Sequence, residues 1–151
     1  MAKVLAVNIS KEKGVIKAPV EQGFFIENFG LQEDAHAGDW HRQVSLLGQE
    51  SVDKIKALGI ENLDAGVFAE NILTEGITLY ELPIGTRLQV GETIQEVTQI
   101  GKKCHHGCEI FKKVGDCVMP REGIFTRVMK GGVVKAGDDI VIIETTDHGE
   151  E

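Results

Sequence analysis

The stretch Arg87-Leu-Gln-Val90, followed by Gly91-Glu92 and Thr93-Ile-Gln-Glu-Val-Thr-Gln-Ile100, decides the fold class. It contains two runs rich in β-branched residues, with near alternation of apolar and polar side chains, on either side of a turn that contains glycine. A period of two places successive side chains on opposite faces of an extended chain. The stretch therefore predicts two short β-strands joined by a turn.

Runs of the same kind recur along the chain, and 18 glycines supply turns between them. The further runs are Val4–Ile9, Val67–Leu73, Ile124–Met129 and Ile140–Ile143. This spacing favours a mainly β domain, barrel-like or a sandwich, over a parallel α/β sheet. Lys130-Gly-Gly132 predicts a hairpin turn, because glycine tolerates the positive φ of tight hairpins, so we expect the last two strands to pair.

Two short helices are expected to interrupt the strands. The first runs from about Gln49 to Leu58, with Val52 and Ile55 on one face and Gly59 as its stop. The second begins near Gly107 and ends by Gly115. We expect the first helix to close one end of a barrel.

Length and charge limit the classes of function. A chain of 151 residues can bury its own core as one domain, which we place at residues 4–144 with a polar, acidic tail at 145–151. With 24 acidic and 16 basic residues the net charge is -8, so the chain lacks the broad basic surface that binds nucleic acid or anionic membranes. Without a signal-peptide core or a bilayer-spanning apolar segment, we expect a cytoplasmic protein.

Three cysteines lie close together: Cys104, Cys108 and Cys117. A secreted disulfide scaffold has an even number spread along the chain, so this cluster points to a reactive or metal-binding thiol. Lys102 and Lys103 supply cations that favour the thiolate, the form that acts as nucleophile and soft-metal ligand. Either Cys104 or Cys108 is therefore a candidate catalytic thiol. The alternative is that the cysteines are small buried apolar residues.

Structural zinc is a competing interpretation of the same segment. The three cysteines with His105 or His106 supply four ligands suited to a tetrahedral site. The Cys-x3-Cys spacing of Cys104 and Cys108 falls within the range of zinc sites, but Cys117 follows too closely for a usual pair of knuckles. The chain would then be an interaction module without redox chemistry.

Polar residues cluster upstream in a glycine-containing loop that leads into an apolar, strand-like run. They are His36, Asp39, His41 and Arg42. Loops on a rigid frame often carry function, so these residues are candidates for binding a polar ligand. The alternative is a solvated loop in which Asp39 forms a turn.

Two further groups are candidates. Glu70 and Asn71 lie between apolar residues, where a buried carboxylate or amide needs partners, either as a structural unit or as part of a ligand pocket. Arg121 and Arg127 suit bidentate phosphate binding but also pair with surface acids. We expect Arg127 to matter more to ligand binding than Arg121, because its neighbours in a strand fix its direction.

Four of these segments occur in a characteristic order. They are Gly38-Asp-Trp-His-Arg-Gln-Val-Ser-Leu-Leu47, Phe68-Ala-Glu-Asn-Ile72, Gly101 to Cys108, and Gly123-Ile-Phe-Thr-Arg-Val128 with Lys135-Ala-Gly-Asp138. In this order they resemble a standalone bacterial MOSC domain, named after the C-terminal domain of molybdenum-cofactor sulfurases. The resemblance covers about Val4 to Glu144. It implies a MOSC-type, β-barrel-like single domain with a few short helices.

The resemblance also implies a pocket for a pterin-type molybdenum cofactor and a cysteine that carries sulfur as a persulfide or ligates molybdenum as a thiolate. Cys108, followed by Glu-Ile-Phe, matches the position of that cysteine better than Cys104. The implied cofactor-binding residues are His36, Asp39, His41, Arg42, Glu70, Asn71 and Arg127. Arg42 or Arg127 would contact the pterin phosphate.

Partners follow from the same resemblance. We recognise no lysine-bearing pyridoxal-phosphate site in the chain, so sulfur would come from a persulfide donor. Other expected partners belong to molybdenum-cofactor biosynthesis or are molybdoenzymes that receive the cofactor. Some standalone relatives reduce N-hydroxylated compounds, so a molybdenum-dependent reductase with an electron-donating partner is the second hypothesis.

Overall fold

The computed structural model describes residues 2–10, 17–35, 37–57, 70–101 and 122–144. Within these ranges it contains eleven strands, one α-helix and one 3-10 turn, and the mainly β prediction is confirmed. The strands are β1 Lys3–Ile9, β2 Ala18–Val20, β3 Gln22–Ile26, β4 Gly30–Leu31, β5 Val44–Gly48, β6 Ile72–Glu75, β7 Arg87–Val90, β8 Thr93–Ile100, β9 Ile124–Lys130, β10 Gly132–Lys135 and β11 Ile140–Glu144. The α-helix, α1, is Gln49–Lys56, and the 3-10 turn is Leu79–Glu81.

Eight strands form one sheet, in the order β11-β7-β8-β9-β5-β6-β1-β2, and β10, β3 and β4 form a second. Neighbouring strands are antiparallel except for β5 and β6, which run parallel. A parallel pair needs a crossover rather than a hairpin, and α1 lies in that crossover. The helix packs against β5 and β6, the two strands it connects.

The expectation of a barrel is corrected by the topology, because the strands within the described residues do not close into a barrel. β1, which is next to last in the large sheet, does approach the opposite end of that sheet at one point, where Lys3 forms an isolated bridge with Asp139 just before β11. Beside it, the Val4 N–H donates to Asp138 O at 2.8 Å and the Ile140 N–H donates to Ala2 O at 3.0 Å. Among the described residues this pairing ends at Ala2 and Ile140, so the contact there is short and is not a continuous ladder.

The hairpin predicted at Lys130-Gly-Gly132 is wrong. β9 pairs with β8 and β5, β10 pairs with β3 in the second sheet, and β11 pairs with β7. A Cβ atom on Gly131 would lie 2.6 Å from Phe25 O, and one on Gly132 would lie 2.7 Å from Glu92 Cβ. The two glycines therefore allow close contact with distant parts of the chain as it passes from one sheet to the other.

The predicted helices have different outcomes. α1 begins at Gln49 as expected, ends at Lys56, and buries Val52. It packs on β5 and β6, and so does not close the end of a barrel. The second predicted helix, from Gly107 to Gly115, and the first part of the predicted strand Val67–Leu73 lie outside the described residues. No helix in the described ranges is both long enough and apolar enough to cross a bilayer.

One hydrophobic core lies between the two sheets. Its fully buried members include Val7, Leu46 and Leu88 from the large sheet and Phe25 and Val134 from the small one. Side chains alternate along β9, where Ile124 and Val128 belong to this core. Phe125 and Arg127 therefore project from the opposite, outer face of the large sheet.

Candidate functional site

A β-bulge shapes the outer face of β8 and β9. Val97 pairs with Thr126 and Gln99 pairs with Phe125, so β8 has one extra residue, Thr98, between two successive residues of β9. Such an insertion changes the direction of the side chains that follow it. Here it places Gln99 beside Phe125, and the single Thr98 hydroxyl proton can be donated to the carbonyl oxygen of either His41 or Phe125.

Gln99 joins three parts of the site through one amide. Its Oε1 lies 2.8 Å from His41 Nε2 and accepts a hydrogen bond from Arg42 Nε at 3.0 Å. Its Nε2 donates to Gly101 O at 2.7 Å. The side chain thus holds two predicted site residues against the end of β8, where the chain enters the cysteine-containing segment.

The guanidinium group of Arg42 lies against two aromatic rings. Its Cζ atom is 5.9 Å from the centroid of Trp40 and 5.4 Å from that of Phe125, within the range of cation-π attraction. Arg42 Nε donates a hydrogen bond to Gln99. Neither Nη atom of Arg42 donates a hydrogen bond to another group within the described parts of the chain. Arg42 is half-buried, so a fixed guanidinium edge with free donors remains available to a ligand.

Arg127 carries a buried donor for which the described part of the chain offers no acceptor. It lies opposite Glu96 in the sheet, but Glu96 forms its ion pair with Arg87 on the other side, at 3.6 Å. Arg127 Nε is buried and has no hydrogen-bonding partner among the described residues. Leaving a buried donor unsatisfied costs about 1–3 kcal/mol.

We call His41, Arg42, Gln99, Phe125 and Arg127 together the arginine face.

Asp39 is held away from the arginine face by a chain of hydrogen bonds. Its Oδ1 accepts from Asn28 Nδ2 at 3.4 Å, and Asn28 Oδ1 accepts from Gln43 Nε2 at 3.2 Å. Gln43 Oε1 in turn accepts from the Val128 N–H at 2.9 Å. These contacts tie the loop before β5 to β9, and a ligand-binding role for Asp39 stays a prediction.

Asn71 connects three strands. Its Oδ1 accepts from the Ser45 N–H at 3.0 Å, and its Nδ2 donates to Asn8 O at 3.2 Å. Glu70 is also buried, with Oε2 3.5 Å from Asn8 Nδ2. Of the two alternatives for this pair, the contacts favour a structural hydrogen-bonding unit joining β1, β5 and β6. The role of Glu70 and Asn71 in cofactor binding stays a prediction.

A buried ion pair anchors the loop that leads to His41. Lys17 Nζ lies 2.8 Å from Asp34 Oδ1, and both side chains are fully buried. The same oxygen accepts from the Ser10 N–H at 3.0 Å, and the Ala35 N–H donates to Ser10 O at 2.8 Å. The end of β1, the start of β2 and the loop after β4 are therefore fixed to one another.

The connection from residue 102 to 121 is attached at both ends. The Gly101 N–H donates to Gly123 O at 2.7 Å. At the far end, Glu122 accepts from Ser51 Oγ at 2.6 Å and from Lys54 Nζ at 2.8 Å, both on α1. The hydrogen bond to Glu122 raises the pKa of Lys54 above its ordinary value. The helix thereby supports the base of the connection.

Several predicted site residues lie outside the described residues: His36, Cys104, His105, His106, Cys108, Cys117 and Arg121. The zinc interpretation depends on these cysteines and histidines. Within the described ranges, no three His, Cys, Asp or Glu side chains are grouped to hold a metal ion. Their predicted roles accordingly remain predictions.

Gln99, Trp40 and Phe125 also belong to this site and were not predicted from the sequence. A polar residue at the end of a strand, directly before the cysteine segment, was the available signal for Gln99. Its role depends on the bulge at Thr98, which no local pattern in β8 reveals. Trp40 lies in the loop that was selected for its polar residues. Its place two residues before Arg42 was the available signal for a contact between the ring and the guanidinium group.

Comparisons with known proteins agree with this architecture. The structure is similar to YuaD from Bacillus subtilis, with a TM-score of 0.71 and 17% identity, over 93% of this chain and 94% of that one. It is similar to YiiM from Geobacillus stearothermophilus, with a TM-score of 0.72 and 20% identity, over 95% and 76% of the two chains. For YiiM from Escherichia coli the values are 0.71 and 17%, over 97% and 72%.

At these identities the structural likeness shows the fold alone. No curated protein sequence matches the chain significantly. The sequence model of the MOSC domain family, however, matches residues 33–141. This range is more than half of the sequence, and it includes β5 to β10 with the arginine face. The chain therefore belongs to the MOSC domain family.

Proposed function

We propose that this domain binds a phosphate-bearing, pterin-type molybdenum cofactor on the arginine face. A cysteine of the 102–121 connection would then act as its persulfide carrier or thiolate ligand. The observation that carries the proposal is the buried Nε of Arg127, which has no acceptor within the described residues. A phosphate oxygen arriving with a ligand would supply that acceptor.

The chemistry of the face fits a phosphate group. Guanidinium groups are planar, permanently charged and matched to the spacing of phosphate oxygens. Arg127 offers Nε, and Arg42 offers its Nη edge, held by Trp40 and Phe125. Because the chain has a net charge of -8, attraction of an anion depends on these local cations rather than on the overall field.

The covalent structure sets an upper limit on how far the candidate thiols can lie from this face. An extended chain spans about 3.6 Å per residue, so the Cα atom of Cys104 lies within about 11 Å of that of Gly101, and that of Cys108 within about 25 Å. The carbonyl oxygen of Gly101 accepts a hydrogen bond from the side chain of Gln99, which is part of the arginine face. A bound cofactor would supply a redox-active molybdenum atom, for which a thiolate is a suitable soft ligand.

A sulfur-carrying role needs a partner that donates a persulfide. The cysteine thiolate would attack the outer sulfur of the donor persulfide, forming a new sulfur-sulfur bond as the donor leaves with its thiolate. This exchange needs no other oxidant or reductant. Lys102 and Lys103 favour the attacking thiolate by their positive charge.

Arg127→Met tests the phosphate contact, with Arg87→Met as its matched control. Hydrogen bonds to charged groups contribute about 1.5–3 kcal/mol, so Arg127→Met is expected to weaken binding of a phosphorylated pterin by about 10-fold to 100-fold. Arg87 already pairs with Glu96 and its side chain is 42% exposed, so Arg87→Met is expected to change affinity less than about threefold. Binding is measured by pterin fluorescence.

The unphosphorylated pterin provides the second comparison. Its affinity is expected to be nearly the same for wild type and Arg127→Met, because the lost contact is to the phosphate. Equal affinities of the two variants and wild type for the phosphorylated pterin would contradict the assignment of Arg127.

A further inference from the structure

The orientation of the Gln99 amide is fixed by its neighbours. Arg42 Nε can only donate a hydrogen bond, so the atom of Gln99 that faces it is the oxygen. Gly101 O can only accept, so the atom that faces it is the amide nitrogen. Reversing the amide would place donor against donor and acceptor against acceptor.

This orientation decides which ring nitrogen of His41 carries a proton. His41 Nε2 lies 2.8 Å from Gln99 Oε1, which only accepts, so Nε2 must donate. A neutral imidazole has one ring proton, and Nδ1 is therefore unprotonated. His41 is exposed, its ring lies 5.7 Å from the Trp40 ring in a T-shaped arrangement, and Nδ1 has no hydrogen-bonding partner within the described residues.

We propose that His41 is the proton acceptor of the arginine face, acting through Nδ1, and that Gln99 is the positioning residue that keeps Nδ1 free of a proton. The inference rests on the proposed function for the identity of the ligand, a phosphate monoester. Bound as its monoanion, the phosphate gives the proton on its oxygen to Nδ1. A dianion then lies beside an imidazolium and the guanidinium groups, and no electrons are exchanged.

The tautomer of His41 is measured on ligand-free protein labelled with 15N-histidine, by long-range 1H-15N NMR at a pH where imidazoles are neutral. Comparison with His41→Gln assigns its signals. The expected result for wild type is a proton on Nε2. Gln99→Leu removes the acceptor and is expected to give a mixture of tautomers, whereas Gln99→Glu retains an acceptor and the wild-type tautomer. Gln89→Leu, an exposed change on β7, is the matched control and is expected to leave the tautomer unchanged.

Inorganic phosphate then tests proton transfer at near-neutral pH. In wild type and Gln89→Leu, saturating phosphate is expected to move the 15N signal of Nδ1 to that of a protonated nitrogen, and Arg127→Met is expected to weaken this response at least tenfold. A wild-type proton on Nδ1, or an unchanged tautomer in Gln99→Leu, would overturn the role of Gln99. An Nδ1 signal that phosphate leaves unchanged in wild type would overturn the proton-acceptor role. Because the tautomer is measured without ligand, failure of cofactor binding is distinguishable from failure of this assignment.

Discussion

Replacing Lys17 with methionine is expected to lower the free energy of unfolding by about 3–5 kcal/mol, the usual cost of removing one partner from a buried ion pair. Lys17 Nζ is 2.8 Å from Asp34 Oδ1, and neither side chain is exposed. In Lys17→Met the carboxylate keeps its hydrogen bond from the Ser10 N–H but loses the ammonium charge. Because Asp34 anchors the loop that leads to His41, ligand binding is also expected to weaken.

Guanidinium denaturation measures the change. Lys135→Met is the control, since Lys135 Nζ is 4.0 Å from Asp138 and its side chain is 61% exposed. Exposed pairs contribute about 0–1 kcal/mol, so the control is expected to lose little stability. The double change Lys17→Met with Asp34→Leu is expected to recover much of the loss, because it also removes the buried carboxylate that has lost the Lys17 ammonium group. Similar small losses for Lys17→Met and Lys135→Met would show that the buried pair does not contribute as argued.

Cys108→Ser is expected to reduce loading with cofactor or persulfide more than tenfold while leaving the fold intact. A serine hydroxyl stays protonated near neutral pH and is a hard ligand, so it replaces neither the nucleophile nor the soft ligand. Cys117→Ser is the matched control and is expected to load like wild type. Loading is measured as bound molybdenum, and as persulfide by mass spectrometry. Full loading of Cys108→Ser would remove Cys108 from the proposal.

Thiol reactivity ranks the candidates independently. Brief alkylation of ligand-free protein with a limiting reagent is expected to label Cys108 before Cys104 and Cys117, because Lys102, Lys103 and the helix start predicted after Gly107 together favour its thiolate. Bound cofactor is expected to protect the same residue. Preferential labelling and protection of Cys104 would transfer the role to Cys104, and three inert thiols would contradict a cysteine-centred mechanism.

Local patterns predicted the strands well where both the alternation and the flanking turns lie in one stretch. β7 and β8 occupy the ranges expected from Arg87–Val90 and Thr93–Ile100. Pairing was not predictable in the same way, because it depends on contacts between distant segments. Gly131 and Gly132 have the composition of a hairpin, but their close neighbours are Phe25 and Glu92, so the chain leaves the large sheet there.

In the candidate site, too, residue types were predictable from the sequence and contacts between distant segments were not. His41, Arg42 and Arg127 were selected by residue type, and the structure places them on one face of β8 and β9 with Gln99. Gln99 itself could not be selected, since the bulge that directs it exists only when β8 and β9 pair. The buried pair of Lys17 and Asp34 joins segments that look like solvated loops in the sequence, so its contribution to stability was not foreseen.

Elemental analysis of the wild-type protein, purified from cells that make molybdenum cofactor, tests the central claim most directly. The proposal predicts molybdenum approaching one atom per chain together with a phosphorylated pterin, and no molybdenum in protein from cells unable to make the cofactor. Stoichiometric zinc without molybdenum, or protein that contains neither metal and takes up no cofactor when supplied with it, would contradict the proposal.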